Sequence, residues 1–106
     1  MVNVKMNLET LEIQIDGHAG GGPHGEDLVC CGVSTLAETL LIYMEKLMRD
    51  GLLADLKEEV KSGHVYLHPQ PYGWSMEKVV TAIDVIRNGF KALAEQFSKY
   101  VTYEEE

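Results

Sequence analysis

The sequence predicts an α+β domain: two long helices on one face of a mostly antiparallel sheet, in the order ββαββαβ. Three observations carry that prediction. Short stretches near both ends alternate apolar and polar residues, the period of a half-buried strand. Two longer stretches repeat apolar residues every three or four positions, the period of an amphipathic helix. Clusters of glycine and proline separate the two kinds of segment.

Val2, Val4, Met6 and Leu8 alternate with Asn3, Lys5 and Asn7, which predicts a first strand. After Glu9-Thr10, Leu11, Ile13 and Ile15 alternate with Glu12, Gln14 and Asp16, and the two strands should form a hairpin. Gly17 to Gly25 reads GHAGGGPHG, with five glycines in nine residues, so a loop is expected. A helix should run from about Asp27 to Arg49, with Glu26 and Asp27 suited to its positively polarised start and Gly51 ending it. Val29, Val33, Leu36, Ala37, Leu40, Met44 and Leu47 form its apolar stripe, opposite Thr35, Glu38, Glu45 and Lys46.

Leu52 to Gln70 is open to two readings. Leu53, Leu56 and Val60 fit a short helix, but the segment also fits two strands turning at Ser62-Gly63. Val65-Tyr66-Leu67 is strand-like and Ser-Gly suits a turn, which favours a second hairpin stopped by Pro69 and Pro71. Ser75 is placed as the N-cap of the second long helix, whose stripe is Val79, Ile83, Ile86, Phe90, Leu93, Ala94 and Phe97. Tyr100 to Glu104 reads as a last strand.

At 106 residues there is room for one domain, and no repeat or linker divides it. No apolar run approaches the roughly 20 residues that span a bilayer. Met1 to Leu8 lacks the basic start and continuous apolar core of a secretory signal, so the cytoplasm is the expected location and no membrane partner is expected. The net charge of −8 repels phosphate backbones, so nucleic acid is not an expected partner either. Such a surface tolerates a basic partner, and it also serves plain solubility. The two cysteines, Cys30 and Cys31, are neighbours, and a bond between them would staple nothing distant. Both thiols are expected to be free.

Core and surface account for most of the chain, but not for His18 to Ser34. A histidine follows a strand, a glycine-rich loop follows it, and Cys30 is expected in the first turn of a buried helix. A thiolate is the nucleophile of a cysteine, and a helix start favours negative charge. An imidazole within reach can take the thiol proton and later protonate a leaving amine. Gly20, Gly21 and Gly22 would let backbone N–H groups approach a substrate closely, as a movable flap. On the helix Asp27, Cys30 and Ser34 share a side, while Cys31 lies about 100° further round, toward the polar face. Plainer roles compete: Cys30 as a small buried hydrophobe, His18 as a surface histidine, Asp27 as a cap, Ser34 bonded back to the preceding turn.

Taken as one string, GHAGGGPHGEDLVCCGVS resembles the signature of the Prp-type ribosomal-processing cysteine proteases. The resemblance rests on Gly17, His18, Ala19, Gly25, Asp27, Leu28, Val29, Cys30 and Ser34, with His18 and Cys30 twelve positions apart. More loosely it extends to the early hairpin, the two helices and the ending Ala94-Glu95-Gln96-Phe97 with Tyr100-Val101. It implies one cysteine protease domain over residues 1–106, a homodimer that removes an N-terminal extension from a large-subunit ribosomal protein or trims phage capsid and scaffold proteins. It makes Cys30 the nucleophile and His18 the base, with Asp27 and Ser34 supporting and the segment from Gly20 to Gly25 closing over substrate. Cys31 departs from the pattern, which usually has alanine there, and the loop is richer in glycine and carries His24.

Two rivals remain. His18, His24, Cys30 and Cys31 offer metal donors, but adjacent helical cysteines diverge by about 100° and no C-x-x-C is present, so neither metal nor other cofactor is expected. A small acidic dimer that binds a ribosomal or assembly protein without cutting it is the other.

Overall fold

The computed structural model describes residues 1–18 and 24–106, with side-chain detail for 1–18 and 28–106. Its elements run β1 (Val2–Asn7), β2 (Glu12–Gly17), α1 (His24–Arg49), β3 (Leu53–Lys61), β4 (His64–Pro71), α2 (Met76–Gln96) and β5 (Val101–Glu105). The predicted order ββαββαβ is the observed one. A single 3-10 turn, Gly73–Ser75, leads into α2. The five strands form one sheet in the order β3-β4-β2-β1-β5. Every pairing is antiparallel except β1 with β5, which is parallel.

Strand alternation divides the sheet into two faces. Val2, Val4, Met6, Ile13, Ile15, Leu67 and Val101 are buried beneath the helices. The opposite face is polar and bonded to itself, with Tyr66 donating to Glu12 at 2.7 Å and Thr102 to Asn3 at 2.6 Å. Helix α1 presents Val29, Val33, Ala37, Leu40, Met44 and Leu47 to the core, and α2 presents Val79, Ile83, Ile86 and Phe90. Each large apolar side chain so buried contributes about 1.5–3 kcal/mol, which outweighs the few tenths that separate most residues in helix propensity. By length and composition, Leu28–Arg49 reaches what a bilayer span requires, contrary to the sequence expectation. Its apolar stripe is committed to the core instead.

Local chemistry fixes the ends. Asn7 accepts hydrogen bonds from the N–H groups of Glu9 and Thr10 at 2.9 and 3.0 Å, making the β1–β2 turn four residues long rather than two. Leu11 therefore sits in the turn at φ 67°, not in β2, yet stays buried. Gly51, at φ 78°, ends α1, and the Leu52 N–H reaches back to the Leu47 carbonyl at 2.8 Å. The hairpin reading of Leu52 to Gln70 is the observed one, turning at Ser62-Gly63.

Three expectations need correction. Helix α1 begins at His24, three residues before Asp27, so His24 and Gly25 belong to its first turn and not to the loop. Pro23 directly precedes them, and proline suits a helix start because its missing N–H is not needed there. Pro69 does not stop β4, which runs on and ends at Pro71. Beyond Leu67 the strand pairs with β3 alone, and a one-sided strand tolerates a missing N–H. Ser75 occupies the N-cap position of α2 as expected but makes no capping bond to it. Its hydroxyl donates to the Leu52 carbonyl at 2.7 Å and accepts from the Tyr72 N–H at 3.0 Å, tying the start of α2 to the entry of β3.

The two hairpins are joined where β2 meets β4. Asp16 pairs with His64 in register, and their side chains bond at 2.5 Å between Oδ1 and Nδ1. One residue on, the Gly17 N–H donates to the Gly63 carbonyl at 2.9 Å. His64, with Gln14 beside it, holds the Asp16 carboxyl below its ordinary range. A lowered carboxylate pKa adds stability that is present above about pH 3.9 and is lost as pH falls through the lowered value. Asp16→Asn is therefore expected to lower the urea midpoint at neutral pH, with the gap to the parent narrowing below about pH 4. An unchanged gap across that range would remove the carboxylate from the account. Phe90 is fully buried between α2 and the sheet. Phe90→Ala is expected to cost about 3–5 kcal/mol in urea unfolding, and under about 1 kcal/mol would contradict its place in the core.

Candidate active site

The end of β2, the second turn of α1 and the β3–β4 turn meet around one cavity of about 270 Å³. His18, Cys30 and Ser34 line it together. His18 is the first residue past β2, and its carbonyl accepts a hydrogen bond from the Met1 amine at 2.8 Å. Cys30 and Ser34 are four apart on α1, one above the other on the same face. Val33 and Ala37 form the apolar floor beside them, and Glu38 brings a carboxylate to the rim. The thiol of Cys30 is exposed, as access to a peptide requires.

The helix start shifts the electrostatics. With α1 beginning at His24, Cys30 is its seventh residue and lies in the second turn, not the first as expected. The free N–H groups and the strongest dipole field belong to the first four residues and fade beyond one turn. The helix start therefore offers little to negative charge at Cys30.

The β3–β4 turn is the part of the site that sequence reasoning missed. Gly63 and His64 line the cavity with His18. Ser-Gly was legible as a turn, but nothing local told which strand end the turn would meet. The two cysteines diverge as expected, though Cys31 turns toward a different neighbour. It lies with Gly32, Leu36, Gly89 and Leu93 on an apolar groove between α1 and α2, not on the polar face. Gly25 lies in the helix rather than in a flap, and Gly20, Gly21, Gly22 and the side chain of Asp27 fall outside the described residues. Among the described residues no group of three or more His, Cys, Asp or Glu is gathered as a metal site would need. A larger cavity of about 620 Å³ opens between the helices near Tyr43, Trp74 and Val85, but it has no thiol or imidazole in its lining.

Comparison with known proteins supplies the family. SMU.848 from Streptococcus mutans is 28% identical, with a TM-score of 0.68 over 98% of this chain and 90% of that one. The essential ribosomal processing protease Prp from S. aureus, solved with a covalently linked product peptide, is 17% identical with a TM-score of 0.70 over the whole of both chains. The same protease with a substrate peptide gives 16% and 0.70, also over the whole of both. At those identities the S. aureus structures speak for the fold. No curated protein matches the chain. The model of the family described as cysteine protease Prp matches residues 1–102, nearly the whole length, and the chain belongs to that family of cysteine proteases.

Proposed function

We propose that the chain is an endopeptidase in which Cys30 is the nucleophile and His18 its general base and acid. The observation that carries this is the single cavity shared by the exposed Cys30 thiol, His18 and Ser34. His18 takes the thiol proton, and the Cys30 sulfur attacks the scissile carbonyl carbon. Collapse of the tetrahedral adduct breaks the C–N bond, and His18 returns the proton to the departing amine. Water then hydrolyses the thioester, releasing the acid product and the free thiol. Ser34 polarises the floor of the site.

The substrate we propose is the N-terminal extension of a ribosomal protein, because the S. aureus relative of like fold is a ribosomal processing protease. A phage structural protein is the second candidate. The acidic chain, −8 overall, suits a basic protein body beyond the cut and disfavours nucleic acid. Two free thiols fit a reducing cytoplasm. The working form we propose is a homodimer, supported by the apolar outer face of the helices, where Trp74 is 71% and Val85 64% exposed.

The test is incubation of the protein with a peptide spanning the extension and its junction, products being read by mass spectrometry. A single cut is expected, absent in Cys30→Ala and slowed about 100-fold or more in His18→Ala. Cys31→Ala should stay within about threefold of the parent, its thiol lying on the other groove. Loss of activity on removing Cys31 rather than Cys30 would overturn the assignment. Equilibrium sedimentation should give a dimer that Val85→Glu weakens, and a monomer at all concentrations would refute it.

A further inference from the structure

The glycine at the tip of the second hairpin is pressed against the His18 ring. A Cβ placed on Gly63 would lie 2.5 Å from His18 Nε2, 3.0 Å from Cε1 and 3.1 Å from Cδ2. Those are the atoms of one ring edge, so that edge rests on the backbone of the turn. No real side chain fits there without moving the imidazole. Gly63 is also at φ 74°, a conformation that glycine adopts without a Cβ clash.

The turn is itself held at the end of β2. The Gly17 N–H bonds the Gly63 carbonyl at 2.9 Å. The His64 ring bonds Asp16 at 2.5 Å, with its side chain only 24% exposed. These bonds hold the two residues just before His18 to Gly63 and its neighbour in the hairpin. Exposed imidazoles rotate among rotamers on the nanosecond scale. An imidazole that must meet a thiol needs its rotamers restricted, and the packed Gly63 backbone does that on one side.

We infer that Gly63 is a positioning residue for His18, a backstop that fixes the imidazole for proton transfer, and that the Asp16–His64 pair clamps this backstop in place. The inference rests on His18 being the base. It adds the part of the fold that sets the ring's orientation, and it explains why a turn 45 residues further along the chain matters to the reaction. Misplacing a catalytic group by about 1 Å costs on the order of 100-fold in rate. Opening a 2.5 Å approach to an ordinary contact of 3.4 Å requires a displacement of that order.

A matched pair of glycine substitutions separates this role from backbone strain. Gly51 has nearly the same φ, 78°, but a Cβ there meets nothing within 4 Å. Gly51→Ala and Gly63→Ala thus carry similar strain, and only the second touches His18. Both are made in the full chain with Cys31→Ala, so that alkylation reports Cys30 alone. Turnover is normalised to the folded fraction from circular dichroism. Gly63→Ala is expected to lose about 100-fold in kcat with KM within about threefold, while Gly51→Ala keeps the parent kcat. The pH profile of Cys30 alkylation by iodoacetamide should move in Gly63→Ala to coincide with that of His18→Ala. His64→Gln, which loosens the clamp without adding a Cβ at the turn, should show a smaller fall in kcat in the same direction.

A Gly63→Ala kcat within about threefold of the parent, or an equal loss in Gly51→Ala, overturns the inference. If Gly63→Ala fails to fold, His64→Gln decides: an unchanged kcat and alkylation profile in that variant overturns it. His18→Ala keeps the two levels apart. If His18→Ala leaves turnover and alkylation unchanged, the base assignment has failed. If it abolishes turnover while the Gly63 and His64 variants do nothing, only the backstop has failed.

Discussion

The antiparallel pairing of β2 with β4 is the contact on which the site depends. Each hairpin could form by itself, but a lone two-stranded hairpin is marginal in water. Ile13 opposite Leu67 and Ile15 opposite Val65 join them into a sheet with one apolar face for α1 and α2 to cover. The same register places Asp16 opposite His64 and Gly17 against Gly63. The strand end that carries His18 is thereby delivered to the turn of the second hairpin. Slipping the pairing by one residue would exchange the faces of the strand, exposing Ile13 and Ile15 and moving His18 off the turn. Burial of the core and placement of the imidazole are thus enforced by one register.

Helix α1 separates two environments along its length. Its buried stripe, from Val29 to Leu47, locks the helix over the sheet. Cys30 and Ser34 leave that stripe on the side of the β3–β4 turn, and Cys31 leaves it on the side of α2. Adjacent residues on a helix differ by about 100°, so consecutive thiols face different neighbours although one bond of backbone separates them. The earlier start of the helix has a chemical consequence as well. Cys30 sits past the turn in which the dipole acts most strongly, and His18, the base we propose for it, stands on another element. The position of that imidazole is then a tertiary matter, set by sheet register rather than by helix geometry.

The sequence by itself determined the elements and their order, because strand and helix periods are local and the chain writes them clearly. Val2 to Met6, Val29 to Leu47 and Val79 to Phe90 carry patterns that only one kind of element can bury. It also determined the candidate nucleophile and base, since His18, Asp27, Cys30 and Ser34 occur as one string whose spacing is visible without a fold. Boundaries set by particular bonds were less legible. The passage of β4 through Pro69 and the use of the Ser75 hydroxyl by Leu52 follow from partners far off in the chain. What only the tertiary structure decided is which distant segments meet: β5 parallel to β1, β4 beside β2, and Gly63 beneath His18. The physical reason is that a hydrophobic pattern fixes which face of a strand is buried but not which strand lies next to it. That choice belongs to the packing of the whole core, and His18, the proposed base, takes its place from it.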